Sequence, residues 1–174
     1  MAEAERNSFL PDKDQTIPVT LGKRTEETAA IYFHRSRAPA IRRMLPQKAQ
    51  TLDEALADFH SAQVPGASSY GRTIWTGGRY VGDVWCFGMA PRGDPEAMVS
   101  YCVFEQALWG KGVASEALRL FLAEVRERFG LRRFGAFTYA ENAGSVRVLE
   151  KNGFHLAERF QEDGVWSVYY VREE

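Results

Sequence analysis

Between Ala97 and Tyr139 the hydrophobic pattern of this chain changes period twice. Residues 97–105, AMVSYCVFE, read as a strand. Residues 112–129 read as a helix, because Ala114, Leu118, Phe121, Leu122, Val125 and Phe129 recur at three- and four-residue steps. Glu116, Arg119, Arg126 and Glu127 occupy the other side, and Gly130 stands where a C-cap glycine belongs. Residues 132–140, RRFGAFTYA, then return to strand character. Strand 97–105, helix 112–129 and strand 132–139 therefore form a β-α-β unit with parallel strands and a right-handed crossover.

The segments around this unit are strands joined by turns, together with shorter helices. Residues 16–22 read as a first strand, and the chain turns helical from Arg24, with Ala29, Ile31, Tyr32 and Phe33 among charged neighbours. Thr51 and Glu54 form a capping-box pattern ahead of a helix that carries Leu52, Leu56 and Phe59 on one face and ends before Pro65-Gly66. Strands at 71–76 and 80–89 flank a Gly77-Gly78 turn, and PRGDP at 91–95 has turn chemistry. A short helix opens near Asn142 and closes at Gly153, and strands 155–160 and 165–171 follow around a turn at 161–164. Hairpin connections make the sheet mixed and mostly antiparallel. The expectation is an α/β fold with one central β-α-β unit flanked by helices: a single domain over 16–174 behind a loose arm at 1–15. The final strand, VWSVYYV, suits either an interior position or pairing across a dimer, so monomer and homodimer both stand.

A net charge of -1 speaks against a broad nucleic-acid footprint, which needs a basic excess. No apolar run approaches the roughly 20 residues that span a bilayer, and the polar N-terminus lacks a signal-peptide core, so the expected compartment is the cytoplasm. The two cysteines, Cys86 and Cys102, form no Cys-x-x-Cys motif, and His34, His60 and His155 are scattered, so no metal site is expected. A hairpin centred near Asp94 would set Cys86 roughly opposite Cys102, and a reducing compartment favours two buried thiols over a disulfide there.

The turn that opens the long helix, ALWGKGVASEAL at 107–118, has the makings of a phosphate site. Glycines let backbone approach phosphate closely and leave N–H groups unpaired, and a helix N-terminus adds its positive end. It is not a P-loop: Gly110-Lys111-Gly112 lacks both the spacing and the following hydroxyl residue. Nor is it a dinucleotide fingerprint, because the third glycine position holds Ser115 and no second parallel strand ends about 20 residues on.

Trp109-Gly110-Lys111-Gly112-Val113-Ala114 resembles the pyrophosphate loop of the GNAT superfamily of acyl-CoA N-acyltransferases, usually written Arg/Gln-x-x-Gly-x-Gly/Ala. Trp109 departs from the general pattern but matches the ribosomal-protein N-terminal acetyltransferase subgroup, whose loop reads Trp-Gly-x-Gly. The segment from Asn142 through Ser145, Arg147, Leu149 and Lys151 to Gly153-Phe154 resembles the same subgroup's Asn-x-x-Ser-x-Arg-x-Leu-Glu-Lys-x-Gly-Phe. Residues 26–62 are similar to its paired N-terminal helices, and the likeness covers 20–172.

The resemblance implies acetyl-CoA as co-substrate and a primary amine, on a protein N-terminus or a small molecule, as acceptor. It implies that the amides of Gly110, Gly112, Val113 and Ala114 hold the pyrophosphate, with Trp109, Lys111, Ser115 and Lys151 also at the cofactor; Lys111 equally suits a solvent-facing role. It also implies that the parallel strands splay apart, so that the backbone of Cys102, Val103 and Phe104 meets the pantetheine arm from one side. Asn142 then meets it from the other, in addition to or in place of a helix N-cap role. An α-amino group, with a pKa near ~7.7–8.0, needs little help in losing its proton. One carboxylate would suffice as base: Glu105 first and Asp83 second, each of which also reads as a solvated strand charge. The tyrosine that many GNAT enzymes use as acid is replaced by Leu149. Ser145 takes that role in the subgroup, or serves as a helix-turn serine bonded to backbone and cofactor. Phe33, Trp85 and Tyr101 are candidates to line the acceptor site and equally suit the core. The different-class alternative is an acyl-CoA-binding protein of the same fold without catalysis.

Overall fold

The computed structural model describes residues 16–90 and 95–174, so the arm expected over 1–15 and most of the turn expected at 91–95 lie outside the described residues. The first strand, β1, is shorter than expected, Thr20–Lys23, and is followed by α1 (Glu26–Arg35), α2 (Pro39–Arg42) and α3 (Leu52–Ser61). Then come β2 (Tyr70–Thr76), β3 (Arg79–Phe87), β4 (Glu96–Val103), a 3₁₀ turn at Gln106–Leu108 and α4 (Val113–Phe129). The chain closes with β5 (Arg133–Tyr139), α5 (Ala143–Lys151), β6 (His155–Glu162) and β7 (Val165–Glu173).

Local chemistry sets the helix starts. Thr51 Oγ1 accepts the Glu54 N–H at 3.2 Å, and Glu54 returns a carboxylate oxygen to the Thr51 and Gln50 amides. At α1 the sequence hides an equivalent box: Thr25 Oγ1 accepts the Thr28 N–H, and Thr28 Oγ1 accepts the Thr25 N–H. A threonine at the third position takes the place that glutamate usually fills. α4 starts differently, from Gly112 at φ +82° with no side-chain cap, and ends at Gly130 at φ +68°.

Among the described residues the seven strands form one sheet in the order β1-β2-β3-β4-β5-β7-β6. All neighbouring pairs are antiparallel except β4–β5. The last strand is thus interior, between β5 and β6, and β6 is the edge. The β3–β4 register pairs Cys86 with Val99 and Asp83 with Cys102, which corrects the expected opposition of the two cysteines. Both thiols are free and buried, and burial pushes each up to about 12.

Alternation along β4 sends its side chains to two different layers. Ala97, Val99 and Val103 join the large core, to which α4 contributes Val113, Ala117, Leu118, Phe121, Leu122 and Val125. Cys102 and Phe104 pack instead with Ile41, Tyr32 and Trp85 on the face covered by α1 and α2. Phe129, expected on the buried stripe, is 41% exposed as the last residue of α4, its ring edge-on to Tyr70. No helix among the described residues is long and apolar enough to cross a membrane.

Candidate active site

β4 and β5 pair only from Glu96↔Arg133 to Met98↔Gly135, yet β4 continues to Val103 and β5 to Tyr139. The strands therefore part into a V. Gly135 sits at the vertex, where a Cβ would lie 2.5 Å from Tyr169 Oη and 2.8 Å from Met98 Sδ and would require those side chains to shift. Beyond it Phe137 turns into the opening, 58% exposed and stacked on Tyr169 at 4.5 Å.

A cleft of about 520 Å³ fills the V. Its walls come from the outer half of β4, the turn at 108–115, the start of α5, and Ala40, Ile41, Met44 and Leu45 around α2. The Phe104 N–H crosses to Val81 O at 2.9 Å, on the β3 side. Backbone alternation then directs the Val103 and Tyr101 amides toward the V, where β5 no longer pairs with them. Cys102 and Val103 line the cleft as expected. Phe104 does not offer its amide, because that group completes the sheet.

The turn into α4 is open backbone. Gly110 and Gly112 both have positive φ, +73° and +82°, and a Cβ at either would meet nothing within 4 Å. They are glycine for conformation rather than for room. Among the described residues the N–H groups of Gly110, Gly112, Val113, Ala114 and Ser115 have no backbone or side-chain acceptor, while Lys111 N–H is taken by Leu108 O. Five unpaired donors thus gather at the positive end of a 17-residue helix, a ready site for an anion. Trp109 supplies the anchor: its indole N–H donates to Val103 O at 2.7 Å, tying the turn to the end of β4. The Lys111 side chain is exposed outside the cleft lining.

Across the V, Asn142 caps α5 by accepting the Ser145 N–H at 3.1 Å and is among the residues that line the cleft. Ser145 Oγ shares a 2.8 Å hydrogen bond with Tyr101 Oη, and the phenol also reaches Ser145 O at 3.1 Å. Burial pushes the Tyr101 phenol well up, opposed by the hydrogen bond from Ser145. Lys151, at the end of α5, lines the same cleft near Ser115.

Neither carboxylate expected as base faces this cleft. Glu105 Oε2 is held by Arg35 at 3.2 Å and Arg79 at 3.0 Å. Asp83 is 3% exposed, with Oδ2 3.0 Å from Arg24 Nε and Oδ1 accepting the Tyr80 hydroxyl at 2.7 Å. Its desolvation raises its pKa, against the lowering by Arg24 and Tyr80. Among the described residues Glu141 is the one carboxylate in the lining. Phe33 and Trp85 also stay out of it: Arg37 lies over the Phe33 ring at 4.9 Å, and Trp85 packs edge-on to Tyr32 with Arg24 above it. Tyr101 does line it, through its tie to Ser145.

One residue escaped the sequence reading. Asn152, 6% exposed, reaches Ser115 O at 3.1 Å and Val148 O at 3.0 Å with its side-chain amide, while its own carbonyl accepts from Arg172 at 2.7 Å. It bolts the end of α5 to the first turn of α4, directly behind the open amides. Its place before Gly153 reads as an ordinary helix end; only a polar residue inside an otherwise apolar contact hints at more.

Comparison with known proteins agrees with this geometry. The probable N-acetyltransferase YjcK of Bacillus subtilis (strain 168) is 33% identical over 97 residues, and the match spans 53% of this chain and only about half, 53%, of that relative. The aminoglycoside acetyltransferase AAC(6')-Ib in complex with coenzyme A has a TM-score of 0.75 at 16% identity, over 90% of this chain and 95% of that one. RimL, a ribosomal L7/L12 alpha-N-protein acetyltransferase in complex with coenzyme A, gives 0.75 at 17% identity, over 91% and 95%. Mycobacterium smegmatis RimJ in complex with CoA-disulfide gives 0.73 at 20% identity, over 89% and 81%. At these identities the structural likeness speaks for the fold. The model of the acetyltransferase (GNAT) domain matches residues 19–155, most of the chain, and the protein belongs to the GNAT acetyltransferase family.

Proposed function

We propose that this protein transfers an acetyl group from acetyl-CoA to a primary amine, by direct attack within a ternary complex. The observation that carries the reading is the set of unpaired amides of Gly110, Gly112, Val113, Ala114 and Ser115 at the mouth of the V between β4 and β5. A diphosphate suits that donor set, and an extended amide-bearing arm suits the two unpaired strand edges below it. Acetyl-CoA, when bound, supplies the activated acetyl thioester.

The residues of this chain then have defined tasks. Gly110, Gly112, Val113, Ala114 and Ser115 hold the pyrophosphate through their N–H groups, with Lys151 adding charge beyond them. Val103 and Asn142 pair with the arm from opposite walls, while the Cys102 backbone, like that of Phe104, is turned to β3 and Cys102 meets the cleft as lining only. The Val103 N–H polarises the thioester carbonyl, as an oxyanion donor does. Ser145, coupled to Tyr101, delivers a proton to the departing sulfur. The acceptor enters from the α1–α2 face. At neutral pH an α-amine near ~7.7–8.0 is deprotonated often enough to react without a strong base.

The engagement of Glu105 and Asp83 by arginines favours one second reading: an acyl-CoA-binding protein that does not turn over. Calorimetry with CoA, followed by thiol release across a panel of peptide and small-molecule amines, separates the two. Acetylated product seen by mass supports transfer. Tight acetyl-CoA binding with no thiol release for any amine supports the second reading. Absence of CoA binding, or competition by ATP alone, removes both.

A further inference from the structure

We infer that the acceptor is an acidic peptide segment, recognised by a cationic rim around the α1–α2 wall of the cleft; this rests on the acetyl-transfer reading above. Residues 34–48, HRSRAPAIRRMLPQK, contain Arg35, Arg37, Arg42, Arg43 and Lys48 and no aspartate or glutamate. The chain as a whole carries a net charge of -1, so this excess is local.

The placement of the run gives it meaning. Ala40, Ile41, Met44 and Leu45 line the cleft, while Arg42 and Arg43, between them in the sequence, are exposed. One short stretch thus presents apolar side chains to the cleft and two guanidiniums to solvent on the same short helical segment. The Arg37 guanidinium lies over the Phe33 ring, 4.9 Å from its centroid. Among the described residues no carboxylate lies within ion-pair distance of Arg37, Arg42, Arg43 or Lys48. Glu105 is the nearby exception that proves engaged: it is held by Arg35 and Arg79.

Arg147, exposed on α5, adds a further cation to the lining, in which Glu141 is the one carboxylate among the described residues, while Lys151 belongs to the pyrophosphate end. A polycationic amine would meet repulsion at this entrance. A peptide with a free N-terminal amine followed by carboxylates would be drawn in, its amine reaching the V while its acidic residues meet the arginines. The pairs are exposed, so their contribution falls as salt rises.

The test uses three peptides with a free N-terminal serine followed by three aspartates, three glutamines or three lysines. Acetyl-CoA binding is measured first by calorimetry, so that failure of cofactor binding is seen separately. The expected result is kcat/KM about tenfold or more higher for the aspartate than for the lysine peptide at low salt, with the gap closing near 0.5 M salt. The Arg42→Glu/Arg43→Glu variant should lose or invert the preference while keeping its acetyl-CoA affinity. Equal use of the three peptides, a lysine-peptide preference, or a preference insensitive to salt overturns the inference. So does acetylation of small amines with every peptide refused. If the double variant misfolds, the salt dependence of the unaltered protein and Arg43→Gln decide the matter. Absence of transfer to any amine would strike the acetyl-transfer reading itself and the inference with it.

Discussion

Tyr101 Oη lies 2.8 Å from Ser145 Oγ, joining β4 to the first turn of α5 across the open V. The phenol is buried and its pKa is pushed up, so it stays protonated through the neutral range. It can therefore hold the serine hydroxyl in one orientation and replenish its proton. Ser145→Ala and Tyr101→Phe are each expected to lower kcat by about 10²-fold, in the usual range for lost acid catalysis. Because the two hydroxyls act as a unit, the double variant should be little worse than the slower single one. Steady-state thiol release checks this. Fully multiplicative losses would mean the two groups act independently.

Gly112 opens α4 at φ +82° with no side-chain cap. A substitution to aspartate imposes left-handed strain of roughly 1–2 kcal/mol and sets a carboxylate where the anion belongs. Gly112→Asp should weaken CoA binding by about 100-fold or more while circular dichroism shows a retained fold. Calorimetry against CoA and against dephospho-CoA makes the measurement, and unchanged affinity would place the pyrophosphate elsewhere.

Asn152 bridges α5 to Ser115 behind the same turn. Asn152→Leu removes the side-chain donor to Val148 O and the second donor to Ser115 O, which keeps its helical bond from the Arg119 N–H, and a lost buried hydrogen bond costs about 1–3 kcal/mol. The expected outcome is a Tm lower by a few degrees, together with CoA affinity reduced about 3- to 10-fold, because the open amides lose their backing. Asn152→Gln should not rescue either, since the longer side chain misplaces its amide. A fall in Tm with unchanged affinity would reduce Asn152 to a purely structural bolt.

The parts legible in the sequence were those that rest on local chemistry. The Gly110-Lys111-Gly112 turn, the α4 stripe from Leu118 to Val125 and the Thr51 capping box all follow from short-range periodicity and backbone preference. Relationships across the sheet were not. Register decides that Cys102 faces Asp83 rather than Cys86, and register depends on a hairpin loop that sequence alone leaves adjustable by a residue or more. The partners of the two candidate bases were hidden for a related reason. Asp83 in an apolar strand and Glu105 at a strand end invite catalytic readings, but their partners, Arg24, Arg35 and Arg79, come from 26 to 70 residues away. Tyr101 shows the opposite case: read as a lining aromatic, it finds its hydrogen-bond partner in Ser145, 44 residues on.

Arg24 and Asp83 yield a pH-dependent test of the buried pair. Asp83 is desolvated, which raises its pKa above the ordinary 3.8, and the Arg24 guanidinium 3.0 Å away and the Tyr80 hydroxyl pull it back. Arg24→Met removes the larger opposing influence, so the folded-state pKa climbs further. Between about 3.8 and that higher value the folded chain holds a proton that the unfolded chain has released. The folded state then binds more protons than the unfolded one, and stability falls as pH rises through this window. The variant should therefore show its Tm closest to that of the unaltered protein near pH 4 and a widening deficit toward pH 8. In Arg24→Met/Asp83→Asn no carboxylate remains to ionise, and the deficit should lose its pH dependence. Differential scanning fluorimetry across that range reads the effect, and a deficit constant with pH in the single variant would show that Asp83 is not charged at the expense of stability.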